Sequence, residues 1–164
     1  MPATKLIELI IIWPGRLFGA FQSAALAVVR VWVGWEFFQA GWLKVTSWES
    51  TLFLFRAEYQ VPLLPSNIAA ILGTGGELVF PLLLWFGVAG RLAALGLSAV
   101  NVMAVIAYAH VLLSEGFEAA LAQHYLWGLA LLVVVVFGPG KLSVDYLLAS
   151  YGSQRNGATT VAVV

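Results

Sequence analysis

Four apolar segments dominate this chain: Phe21–Ala40, Asn67–Gly87, Leu92–Leu113 and Phe117–Phe137. A hydrocarbon core about 30 Å thick needs roughly 20 apolar residues in a helix. Each segment reaches that length, the last only if residues 117–122 continue the rod that begins at His124. Hydrophobic residues make up 62% of the sequence and charged residues 10%, where a soluble domain carries about 25% charged. The expected fold is therefore an all-α integral membrane protein, a single domain (1–164) built as an antiparallel four-transmembrane-helix bundle in a lipid bilayer. Few residues join spans two, three and four, which makes those neighbours adjacent and antiparallel.

The first connection, residues 41–66, is longer and mixed. Within 49–59, Leu52, Phe55 and Tyr59 share one helical face while Glu49, Arg56 and Glu58 spread over others. That suits an amphipathic helix in the headgroup region between spans one and two, ended by Pro62 and Pro65. A partly apolar loop packed over the bundle fits equally well. Residues 4–13 read as a second interfacial helix, because the basic start and small-residue cleavage site of a leader are missing and Pro14-Gly15-Arg16 follows. A disguised targeting segment is the alternative there. Residues 152–164 read as a frayed tail.

Lys5, Arg16, Arg91, Lys141 and Arg155 fall at one surface, and Lys44 and Arg56 at the other. The excess places both termini in the cytoplasm and the protein in the plasma (inner) membrane. Eight basic and eight acidic residues give no net charge, so nucleic acid is not an expected partner. Cysteine is absent, which excludes disulfide exchange and iron–sulfur chemistry on the chain's own thiols.

Two charges lie deep in apolar segments. Arg30 is ten residues before Ala40 and Glu77 ten residues after Asn67, both counted from the outer surface. Asn101 is ten residues in from Arg91 at the inner surface, so all three are expected near the midplane. A charge there costs on the order of 3 kcal/mol, and an Arg30–Glu77 pair with Asn101 as third member is the economical way to satisfy it. Such a pair does chemistry or only sets helix register. Gly73-Thr74-Gly75-Gly76 before Glu77 lets a neighbouring helix approach or loosens α-helix for a ligand.

A second polar layer is expected nearer the outer surface. Glu36, His110 with Tyr108, and His124 come from three different spans. They are candidates for ligating a transition metal, relaying protons or hydrogen-bonding the carbonyls of a quinone. An interfacial histidine that only hydrogen-bonds locally is the plainer reading of each. Asn101 and His110 are nine residues apart and fall on opposite faces of one helix.

Arg30, Gly34, Phe37-Phe38, Gly41 and Lys44 resemble the first-helix signature of the DoxX family. Gly76-Glu77-Leu78, Pro81 to Leu84 and Gly87 to Ala94 resemble its second block, and Gly138-Pro139-Gly140-Lys141-Leu142-Ser143-Val144-Asp145 resembles its exit from the fourth helix. The resemblance covers about residues 25–147. It implies a four-helix membrane bundle whose recurrent polar positions correspond to Arg30, Glu77, Arg91 and Lys44. The family takes its name from a subunit of an archaeal thiosulfate:quinone oxidoreductase, and relatives are linked to membrane redox complexes or copper-binding peptide systems.

The resulting expectation is a small, at most oxidoreductase-associated, membrane subunit that binds quinone or docks a membrane or periplasmic electron-transfer partner. A metal-handling or small-solute carrier using Glu36, His110 and His124 is an alternative. With four spans and no paired broken repeats, such a carrier would have to be a homo-oligomer. The third reading is a structural anchor whose charges only lock the bundle.

Overall fold

A computed structural model describes the backbone over residues 13–161 and the side chains of Phe18 and residues 21–152. Among the described residues there are seven helices and no strand. They are α1 (Trp13–Thr46), α2 (Trp48–Ala57), α3 (Ser66–Phe86), α4 (Gly90–Ala107), α5 (Ala109–Leu112), α6 (Glu118–Phe137) and α7 (Val144–Val161). Three of them, α3, α4 and α6, are long and apolar enough to cross a membrane. The interfacial helix expected over 4–13 lies outside the described residues except for Trp13, which begins α1.

Helices α1, α3, α4 and α6 close a ring in which each packs on the next, α6 returning to α1. Val33, Phe37, Leu84, Leu97, Leu131 and Val134 fill its centre, all buried. Small residues set the spacing. Without a Cβ at Gly34 the indole of Trp85 fits against α1, where its Nε1 donates to the Val31 carbonyl at 3.2 Å.

Three boundaries differ from expectation, each for a local reason. The first apolar run stops near Ala40, yet α1 continues to Thr46 as a 34-residue helix, because no breaker intervenes before Ser47. The Thr46 hydroxyl closes its last turn on the Trp42 carbonyl at 3.0 Å. The third apolar run, expected as one rod to Leu113, breaks at Tyr108. There the Ala107 carbonyl accepts the Gln60 amide at 2.8 Å rather than the helical donor at residue 111. The expected tail from 152 instead continues α7 to Val161. Its start is held where Ser143 Oγ accepts the Tyr146 amide at 3.2 Å, and no proline follows to stop it.

Segment 49–59 is helical as far as Ala57, within α2, and Tyr59 follows the helix. It is packed over the first half of α3, with Phe55 buried against Ala69 and Ala70 and flanked by Leu52 and Tyr59. Phe53 and Leu54, on the opposite face, are exposed.

Candidate functional site

Gly41 brings α1 and α3 together at the α2 end of the bundle. A Cβ there would stand 2.9 Å from the Glu77 Cβ and 3.1 Å from its carbonyl carbon. One turn later Lys44 reaches across, and its Nζ donates to both carboxylate oxygens of Glu77 at 2.5 and 2.6 Å. The side chains are 21% and 8% exposed respectively. Pro81 sits inside α3 four residues on. It has no N–H, so the Glu77 carbonyl loses its helical donor as well. The carboxylate is neutralised by an ion pair, and its backbone oxygen is left without a helical partner.

Helices α4 and α6 supply a second polar pair. Asn101 Nδ2 donates to the His124 carbonyl at 2.9 Å, and Asn101 Oδ1 lies 2.8 Å from His124 Nδ1. Only the amide nitrogen can donate to a carbonyl, so the atom facing the imidazole is an acceptor. A neutral His124 therefore carries its proton on Nδ1, which leaves Nε2 as an acceptor. No partner for Nε2 is found among the described residues. Trp127 closes edge-on against the ring at 5.0 Å.

Lys44, Glu77 and His124 line one cavity of about 520 Å³, within the range of small-molecule sites, with Asn101 behind His124. Glu36 from α1, Tyr59 after α2 and Tyr108 after α4 add polar groups to its wall, and Phe37, Phe55 and Phe80 make that wall aromatic. Tyr59 and Tyr108 meet edge-to-face at 5.3 Å. Burial holds the Tyr59 phenol above its ordinary value, helped by Tyr108, Glu77 and Glu58, so it remains a proton donor at neutral pH. Acid–base and hydrogen-bonding groups thus face a mostly apolar chamber from several sides.

The expected Arg30–Glu77 pair does not form. Arg30, fully buried, lies at the opposite end of the ring, where α3 turns into α4. Its Nη1 donates to the carbonyls of Leu84 and Trp85 at 3.0 and 3.3 Å, and its Nη2 to Leu142 at 2.6 Å. These carbonyls belong to the last turn of α3 and the connection before α7, where a cation also meets the negative end of a helix dipole. Depth counted from Ala40 was misleading because α1 ends at Thr46, so the facing register is shifted. Asn101 joins His124 rather than Glu77.

Nor does the expected metal set assemble. Glu36 and His124 share the cavity, whereas His110 is carried away by the break at Tyr108 and is exposed. Among the described residues no three His, Cys, Asp or Glu side chains are placed to hold a metal ion. Two partnerships are absent from the sequence reading. Lys44 stands there as a polar position of the family resemblance at the outer surface, not as the partner of Glu77. Asp145 caps α4 from a distance, its oxygens accepting the amides of Ala89 and Gly90 at 2.8 and 2.7 Å.

A family model described as DoxX matches residues 25–110, just over half of the chain. The chain belongs to the DoxX family. A Haemophilus influenzae protein described as uncharacterized is 29% identical over 140 residues, covering 81% of this chain and 89% of that one. No solved structure matches. With three helices apolar enough to cross a bilayer, this DoxX chain is an integral membrane protein. Arg30, Lys44, Glu77, Arg91 and Asn101 lie inside the matched region, and His124 and Asp145 lie beyond it.

The DoxX-like blocks meet at the α3–α4 turn. A Cβ on Gly87 would stand 2.6 Å from Arg30 Nη1, and one on Gly90 would stand 2.7 Å from Pro139 Cβ. Gly87 has φ 64°, a left-handed conformation suited to glycine. Around Arg30 this end of the DoxX chain is a packed joint, whereas the cavity that holds Lys44, Glu77 and His124 lies at the other end.

Proposed function

We propose that this DoxX protein is a small redox-associated membrane subunit whose cavity binds a flat apolar ligand with oxygen substituents, of the quinone type. In this reading α1 is the fourth span, α2 lies at the outer interface, and both termini face the cytoplasm across the inner membrane. The observation that carries it is one aromatic-walled chamber holding the Lys44–Glu77 pair and the Asn101-oriented His124 together. Lys44 and the Tyr59 phenol would donate to ring oxygens, and His124 Nε2 would accept from a ring hydroxyl. Phe37 and Phe80 would pack on the faces of the ring. The quinone would supply the electron chemistry; the chain orients it, excludes water, offers a proton at Tyr59 and can take one at His124 Nε2.

The test is organic extraction of the full chain purified in native lipid, followed by chromatography. Quinone is expected at near one equivalent, and Lys44→Ala and His124→Ala should each retain far less. Clean absence from the wild type would sink the reading. A structural anchor is the second reading, favoured by Arg30, whose bonds all serve the joint at the α3–α4 end.

A further inference from the structure

The α3–α4 end carries a second cavity, about 510 Å³, that the redox reading leaves unused. Arg91 in the first turn of α4 and Lys141 in the Gly-Pro-Gly connection line it, with Gln22 and Ser23 from α1 and Tyr146 from α7. Its one carboxylate, Asp145, is already taken, since each oxygen accepts one backbone amide of the α4 start, at 2.8 and 2.7 Å. The cations are not balanced in the same way. Lys141 makes no side-chain hydrogen bond or ion pair among the described residues, and Arg91 gives one N–H to the Val136 carbonyl at 3.3 Å. Ser23 Oγ accepts the Lys141 amide at 3.2 Å, which leaves its own proton to donate.

Donors and positive charge therefore exceed acceptors. Arg91 also sits at the positive end of the α4 dipole, where a cation is unfavourable unless an anion accompanies it. The rim on the other side is apolar. Leu92 on α4 and Phe137 on α6 border the cavity and are 69% and 62% exposed, on helices apolar enough to cross a bilayer.

We propose that this cavity binds the phosphate headgroup of an anionic phospholipid, with its acyl chains along Leu92 and Phe137. A basic pocket between membrane helices at the bilayer surface is the setting in which such headgroups are held. Arg91 and Lys141 bracket the phosphate, and Ser23 and Tyr146 donate to its remaining oxygens. Free phosphate would meet the same donors but make no use of the apolar rim. The site is independent of the quinone chamber and requires only that the chain lie in a membrane.

The test uses full-length protein in neutral detergent, titrated with phosphatidylglycerol, phosphatidylcholine or inorganic phosphate and followed by native mass spectrometry and thermal unfolding. Phosphatidylglycerol is expected to bind at least about tenfold tighter than phosphatidylcholine. Arg91→Gln and Lys141→Gln should each weaken it about fivefold while leaving phosphatidylcholine unchanged. Equal binding of the two lipids by the wild type, or full discrimination in the double variant, overturns the proposal. Displacement of phosphatidylglycerol by low-millimolar phosphate assigns the cavity to a free anion and overturns it too. Lys141→Gln removes no observed side-chain bond, so it carries the test even if Arg91→Gln fails to fold.

Discussion

Lys44 on α1 and Glu77 on α3 form an ion pair in which one ammonium bridges both carboxylate oxygens, at 2.5 and 2.6 Å, in the wall of the larger cavity. Arg30, the other deep cation, is 14 residues away on α1, about 21 Å along the helix axis, and binds only carbonyls. The two polar centres are therefore energetically separate. That separation governs what substitution should do.

Removing Lys44 leaves an uncompensated carboxylate in a nearly dry wall. Lys44→Met should cost about 3 kcal/mol, the low end for a broken buried pair because the lysine is 21% exposed. Lys44→Met with Glu77→Met should recover most of that loss. Unfolding in a mixed-detergent titration measures it, and a double variant as unstable as Lys44→Met alone would refute the pairing.

Arg30→Met should be additive with Glu77→Met within about 0.5 kcal/mol, as expected of distant sites. Alone it removes a donor from the Leu84, Trp85 and Leu142 carbonyls, of which Leu84 keeps the Gly87 amide at 3.2 Å, and should cost about 1–3 kcal/mol in all. Arg30→Lys should rescue little, since an ammonium lacks the fork that reaches two segments at once. Coupling above about 1 kcal/mol between positions 30 and 77 would contradict the geometry.

Nitrogen NMR of labelled His124 should find the neutral ring protonated on Nδ1 in the wild type. In Asn101→Leu the preference should collapse toward the mixture of a free imidazole, with about 1 kcal/mol lost per Asn101 hydrogen bond removed. A wild-type ring already mixed, or protonated on Nε2, would remove the acceptor assigned to the chamber.

Two glycines should respond in opposite directions to alanine. Gly90→Ala drives a methyl to 2.7 Å from Pro139 Cβ and should destabilise by about 1–3 kcal/mol. Gly75 has nothing within 4 Å of its added Cβ, so Gly75→Ala should stabilise α3 by up to about 1 kcal/mol. Thermal unfolding of both variants beside the wild type decides, and equal shifts would count against the joint at residues 87–90.

Alkaline titration probes Tyr59. Its folded value is raised, chiefly by burial, so above about pH 10 the unfolded chain loses this proton while the folded one keeps it. Stability should therefore fall as pH rises past that point, and Tyr59→Phe should flatten the fall. An absorbance titration in which Tyr59 ionises with the exposed tyrosines would refute it.

The α3 and α6 boundaries match the apolar runs to within one residue. Tyr108 differs because a non-local donor, Gln60, takes the Ala107 carbonyl, and no window along α4 contains that information. Glu36, Glu77, His124 and Tyr108 could be singled out as polar residues in apolar surroundings, and all four line one cavity. Their partners could not be read the same way. Lys44 looked like an interfacial cation, and Asn101 like a companion of Glu77.

Length, hydropathy and the absence of cysteine are sums along the chain. By themselves they determined that this is a helical membrane protein without thiol chemistry of its own. Which cation meets which anion depends instead on where helices end and how they register. That was decided by close contacts between distant residues, Gly41 against Glu77 and Gly34 against Trp85. A slip of one helical turn moves a side chain about 5 Å, more than the reach of a hydrogen bond. Only the tertiary structure could hand Glu77 to Lys44, Arg30 to three carbonyls and His124 to Asn101.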